Sequence, residues 1–141
     1  MQTFLPYQNF YLSLACLDNK RLGKQRVEAM QILNALTPGS TSRWRNHPAT
    51  KMWKGHEPAL ENYKNLAILT WKFRGFKNTM PLTFDFCRSD NLKKPLWLTE
   101  EFCSAHRSNL LRKKPEFYSK YGWTEPNNLP YIWPKGNDYA N

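Results

Sequence analysis

The sequence is short of acid where it is rich in base. Up to Lys54, only Asp18 and Glu28 stand against eight lysines and arginines. Over all 141 residues, 21 Lys and Arg against 11 Asp and Glu give a formal net charge of +10. Such a field attracts polyanions, of which nucleic acid is the commonest. Cysteine is scarce as well. Cys16, Cys87 and Cys103 are odd in number, far apart and in no Cys-x-x-Cys pair, which excludes a disulfide framework and points to reduced thiols in a cytoplasm. The three histidines lack metal-ligand spacing, so neither metal nor cofactor is expected. No charged start leads into a long apolar run, so neither a signal peptide nor a membrane span is expected. Gly-x-Ser-x-Gly, phosphate-binding loops and His-Glu-x-x-His are all missing, which removes the common hydrolase patterns.

Aromatics are abundant, at 15% with six Trp and seven Tyr. Flat rings interleaved with cations suit phosphate contacts and stacking on unpaired bases. The helical signals are local and strong. Asp18 is a good N-cap, and Leu22, Ala29, Leu33 and Leu36 recur at helical spacing until Thr37-Pro38-Gly39, predicting a helix over 19–36. Pro58 opens a second helix with Leu60, Tyr63, Ala67 and Trp71 on one stripe and Gly75 at its end; its all-round hydrophobicity makes it the central helix. Thr99, with Glu100 and Glu101 behind it, caps a third that Lys113, Lys114 and Pro115 end. Met1 to Tyr11 reads as an extended arm, 76–96 as mostly loop, and the ring-dense stretch 115–134 as a surface wrap. The expectation is an all-α fold. It is a compact single domain over 1–141, with three main helices, the N-terminal arm and an aromatic-rich irregular C-terminal tail.

Three basic clusters are candidate contacts. On the first helix, Lys20, Arg21, Lys24 and Arg26 accompany Gln25, with Arg21, Gln25 and Glu28 aligned on one flank and Lys20 and Lys24 facing away. Arg26 falls beside the apolar stripe, where an unpaired charge is costly; it either snorkels or lines a polar cleft. Arg45-Asn46-His47 follows in a loop, where Asn46 reads a base edge or caps. His106-Arg107-Ser108-Asn109, with Arg112-Lys113-Lys114, makes the third, and His106 is a base contact or a core histidine. Tyr121 and Trp123 are the tail rings expected to hold a strand. Glu28, alone among cations, either stabilises a cationic transition state or moves a proton, or else pairs with Arg21.

The chain resembles the pyrimidine-dimer DNA glycosylase family of phage endonuclease V, and its bacterial and phage relatives of unassigned activity. The likeness is carried by Lys24-Gln25-Arg26-Val27, Asn46-His47-Pro48, Gly55-His56, Tyr63 and Arg74-Gly75-Phe76. His106 to Lys113 and Pro115-x-x-Tyr118-x-x-Tyr121-Gly122 extend it. The resemblance implies an all-α enzyme of a bacterial or phage-infected cell that binds damaged double-stranded DNA, flips a nucleotide out and cuts its glycosidic bond. A linked lyase step through a Schiff base at the N-terminal amine is also implied. Gln2 should keep Met1 in place, making Met1 the candidate nucleophile beside Glu28, Arg21 and Arg26, in a protein expected to act as a monomer. An α-amine ordinarily loses its proton more than two pKa units below a lysine.

Overall fold

The computed structural model describes residues 1–85 and 93–134. Cys87 and the Ser89-Asp90-Asn91 part of the expected loop lie outside the described residues. An extended N-terminal arm has no strand to pair with, so its amides must find side chains instead. Phe4 N–H donates to Gln25 Oε1 (2.9 Å), Leu5 N–H to His106 Nδ1 (2.9 Å) and Tyr7 N–H to Ser13 Oγ (3.0 Å). Trp53 Nε1 donates to Thr3 Oγ1 and the Tyr63 hydroxyl to the Phe4 carbonyl, at 2.9 and 2.8 Å. The arm is thus embedded, with Gln2 through Pro6 all buried.

The extended stretch ends two residues earlier than the sequence suggests. Asn9 Oδ1 accepts the Leu12 amide (2.9 Å) and starts a short helix, α1 (Phe10–Ala15). The helix α2 (Asn19–Leu36) has the bounds its stripe predicts. Its cap differs: the Asp18 side chain bonds no helix amide, because Arg21 and the Tyr118 hydroxyl occupy its carboxylate. His47 Nδ1 accepts the Ala49 amide at 3.0 Å and begins α3 (Pro48–Trp53). The central helix α4 (Glu57–Phe73) packs on α1 and α2 and buries Leu60, Tyr63 and Ala67. It stops before Gly75, whose φ of +89° reverses the chain.

Thr99 Oγ1 accepts the Phe102 amide (3.2 Å) and caps α5 (Glu100–Lys113). A four-residue helix, α6 (Pro115–Tyr118), and a 3₁₀ turn over Ser119–Tyr121 lead into the tail. Trp53, Tyr63, Trp97 and Phe102 meet in one apolar cluster, the two indoles edge-on at 5.1 Å. Trp71 is only half-buried, its ring packed against Gly23 of α2 at the edge of the core. No strand occurs among the described residues, and the fold is all-α. Among the same residues no helix is long and apolar enough to cross a membrane.

Candidate active site

A cleft of about 290 Å³ opens where the arm crosses α2. Met1, Gln2 and Phe4 of the arm and Lys20, Arg21, Lys24 and Glu28 of α2 line it, together with Lys113 and Tyr131. Lys20 and Lys24 therefore face the cleft, contrary to the flank assignment made from helical spacing. Gln25, expected on that flank, is buried beneath the arm. Its amide nitrogen donates to the Gln2 carbonyl (3.0 Å) and to Glu28 Oε2 (3.2 Å). Its oxygen accepts the Phe4 amide and the Tyr63 hydroxyl (2.6 Å). It holds both the arm and the carboxylate.

Glu28 Oε2 also accepts the Gln2 amide, at 3.3 Å. Among the described residues Glu28 enters no ion pair, although four cationic side chains line its cleft. Arg21 pairs instead with Asp18, at 3.2 Å. Burial works to raise the Asp18 carboxyl, but the bonds from Tyr118 and Arg21 outweigh it and hold the group below the usual carboxylate range. The half-buried His47 stands below its ordinary value, first because of burial and then because of the nearby positive N-terminal amine. Arg45 and Asn46 are exposed beside it, the Arg45 guanidinium bonded to the Thr41 and Ser42 carbonyls.

Arg26 does not reach this cleft. Two residues advance a helix by about 200°, so Arg26 and Glu28 leave opposite sides of α2. The Arg26 guanidinium lies over the Trp71 ring at 4.6 Å and donates to the Gly23 carbonyl and to Asn78 Oδ1. Burial lowers its pKa.

The third basic cluster is largely internal. His106 is fully buried and bound to the Leu5 amide. Arg107 donates to the Pro6 carbonyl (2.7 Å), to Glu125 (3.0 Å) and to Glu100; burial opposes its charge, and the two carboxylates overcome it and raise its pKa. Ser108 donates to the Pro126 carbonyl and accepts the Leu129 amide, and Asn109 donates to the Ala105 and Leu129 carbonyls. These four buried side chains fasten the arm and the tail to α5. Only Arg112 and Lys113 of the cluster are exposed.

Tyr121 and Trp123 likewise stack on each other, with centroids 5.3 Å apart, and bond to Cys16 and Tyr7. The tail ring that lines the cleft is Tyr131, which the sequence does not single out from the other tail rings. It contacts Phe4, His106 and Trp133, and Trp133 in turn meets His47 at 6.0 Å. Burial pushes the Tyr131 hydroxyl up to about 12. Its density of rings and prolines was the only signal in the sequence, and it did not separate Tyr131 from its neighbours.

A family model described as pyrimidine dimer DNA glycosylase matches residues 1–84. The chain belongs to that family. The matched stretch holds the arm, α1 to α4 and, of the cleft, everything but Lys113 and Tyr131. Family membership makes this chain a DNA glycosylase with a DNA substrate, at the level the family name carries. No curated protein and no solved structure matches it.

Proposed function

We propose that the chain excises damaged or modified pyrimidines from duplex DNA, UV pyrimidine dimers foremost, with Glu28 as the catalytic carboxylate of the cleft. The observation that carries this reading is a carboxylate oriented by the Gln2 amide and Gln25, bordered by cations and paired with none of them among the described residues. An anion so placed stabilises the positive charge that develops on the sugar as the glycosidic bond breaks, or moves the proton that the step requires. Lys20, Arg21, Lys24 and Lys113 supply phosphate contacts around it, and Arg45 and Asn46 extend the basic rim. Tyr131 and Trp133 offer faces for an extruded base.

The finer part of the proposal is a lyase step through Met1. The neutral α-amine bonds to C1′ as the base departs with the bond's electron pair; the amine proton passes to O4′ as the C1′–O4′ bond opens to the imine, and loss of a C2′ proton then expels the 3′-phosphate and cuts the strand. Lys24, now known to line the same cleft, is the competing amine. Incubation with dimer-containing duplex and borohydride, followed by mass spectrometry, tests this. A crosslink on the first peptide is expected. A crosslink on Lys24 moves the nucleophile, and excision without any adduct makes the enzyme monofunctional. Absence of excision on every pyrimidine lesion would leave a non-catalytic DNA-binding protein.

A further inference from the structure

We infer that a second pocket, between the start of α2 and the α6 corner, binds a backbone phosphate of the DNA beside the Glu28 cleft. The pocket measures about 500 Å³ and gathers Lys20, Arg74, Lys114 and Lys120 around the Phe117 ring. The one acid in its lining is Asp18, whose carboxylate is already taken by Arg21 and Tyr118. Among the described residues none of the four cations is in an ion pair. The Arg74 fork is aimed by two neutral acceptors, Asn19 Oδ1 and the Ala15 carbonyl, both at 2.9 Å. These fix its geometry without cancelling its charge.

The lysines are also held. The Lys120 ammonium lies 3.9 Å from the Phe117 centroid and 5.2 Å from that of Tyr121, and Lys114 lies 5.6 Å from Phe117. A ring face attracts an ammonium without neutralising it, so it keeps two like charges close together. Convergent cations with no counter-charge repel one another, and a tetrahedral anion with several acceptor oxygens relieves that repulsion and satisfies the donors. A polyanion is favoured over a free anion because Lys20 lines both this pocket and the Glu28 cleft. A strand whose nucleotide enters the cleft carries its neighbouring phosphates directly past Lys20. Arg74, Lys114 and Lys120 thereby join the interface without lining the cleft in which the bond is cut.

The inference rests on the DNA-excision reading, and salt titration separates the two. Duplex affinity is measured against salt for the whole chain, for Lys114→Gln/Lys120→Gln and for a control pair, Lys51→Gln/Lys54→Gln, which lines neither cavity. Each phosphate contact steepens the log–log slope by about 0.9. The pocket pair should flatten the slope by about that much and weaken lesion and plain duplex equally. Lys114→Arg/Lys120→Arg should restore the slope. An unchanged slope in the Gln pair, or an equal drop in the control pair, overturns the pocket while leaving DNA excision standing. A flat response of the unaltered chain would remove the DNA reading itself, and the pocket with it. Ethylation interference gives an independent readout: one phosphate flanking the extruded nucleotide should block binding when alkylated, and should cease to matter in the Gln pair. Failure to find such a phosphate also overturns the inference.

Discussion

The Leu5 amide donates to Nδ1 of His106 at 2.9 Å, across 101 positions of sequence. Accepting that bond requires a neutral imidazole, and burial pushes the His106 pKa down to about 3. An unfolded chain takes up this proton near pH 6.5, while the folded chain refuses it. Stability is therefore fully present above about pH 6.5 and falls with pH toward 3, by at most about 1.4 kcal/mol per pH unit from this group. Urea denaturation over that range checks it, and His106→Ala should lower stability at pH 8 and lose most of the slope.

Glu28→Gln keeps the shape of the side chain and its place beside Gln2 and Gln25 while removing the charge. Excision of a pyrimidine dimer should fall by about 10²–10⁴-fold. Duplex affinity should hold or improve slightly, since the change removes a negative charge from a DNA-facing cleft. If Glu28 were only a tie for the arm, the melting temperature would drop and excision would survive.

Arg26→Ala should spare excision, because the guanidinium sits over Trp71 on the far side of α2 from the cleft. The loss should appear as about 1 kcal/mol of stability from the broken ring contact. A fall in excision as large as that of Glu28→Gln would return Arg26 to the catalytic group.

Arg107→Met removes a cation shared by Glu100, Glu125 and the Pro6 carbonyl. Leaving the Glu125 carboxylate half-buried without its partner should cost about 3 kcal/mol. The salt slope of DNA binding should remain that of the unaltered chain, which a residue contacting phosphate would not permit.

Local signals were legible and long-range ones were not. The bounds of α2 follow from the leucine stripe and Thr37-Pro38-Gly39, and the start of α5 from Thr99. Periodicity gives the rows of a helix but not which neighbour covers each row, so it turns Lys20 and Lys24 away from the cleft they line and leaves Arg26 between snorkelling and a cleft. The run His106-Arg107-Ser108-Asn109 looks like surface because every member is polar. It is buried because the arm and the tail supply its partners, and these lie 18 to 101 residues away. Glu28 was legible as an isolated acid among bases. Its orientation by Gln2 and Gln25 depends on a crossing of chain segments that no local pattern encodes.

The ties that build the cleft join opposite ends of the chain: Leu5 to His106, Asp18 to Tyr118 and Tyr7 to Trp123, the last spanning 116 positions. Ser13, Gln25 and Glu28 lie near the arm in sequence, but the Leu5 amide has no acceptor until α5 has formed. Such closures make folding slower than in a bundle of neighbouring helices. A chain stopped after residue 84 retains α1 to α4 and the residues around Glu28, yet lacks His106, Tyr118 and Trp123 to close over the arm. The cleft around Glu28 is thus encoded early and completed late, since a chain ending before α5 lacks Lys113 and Tyr131.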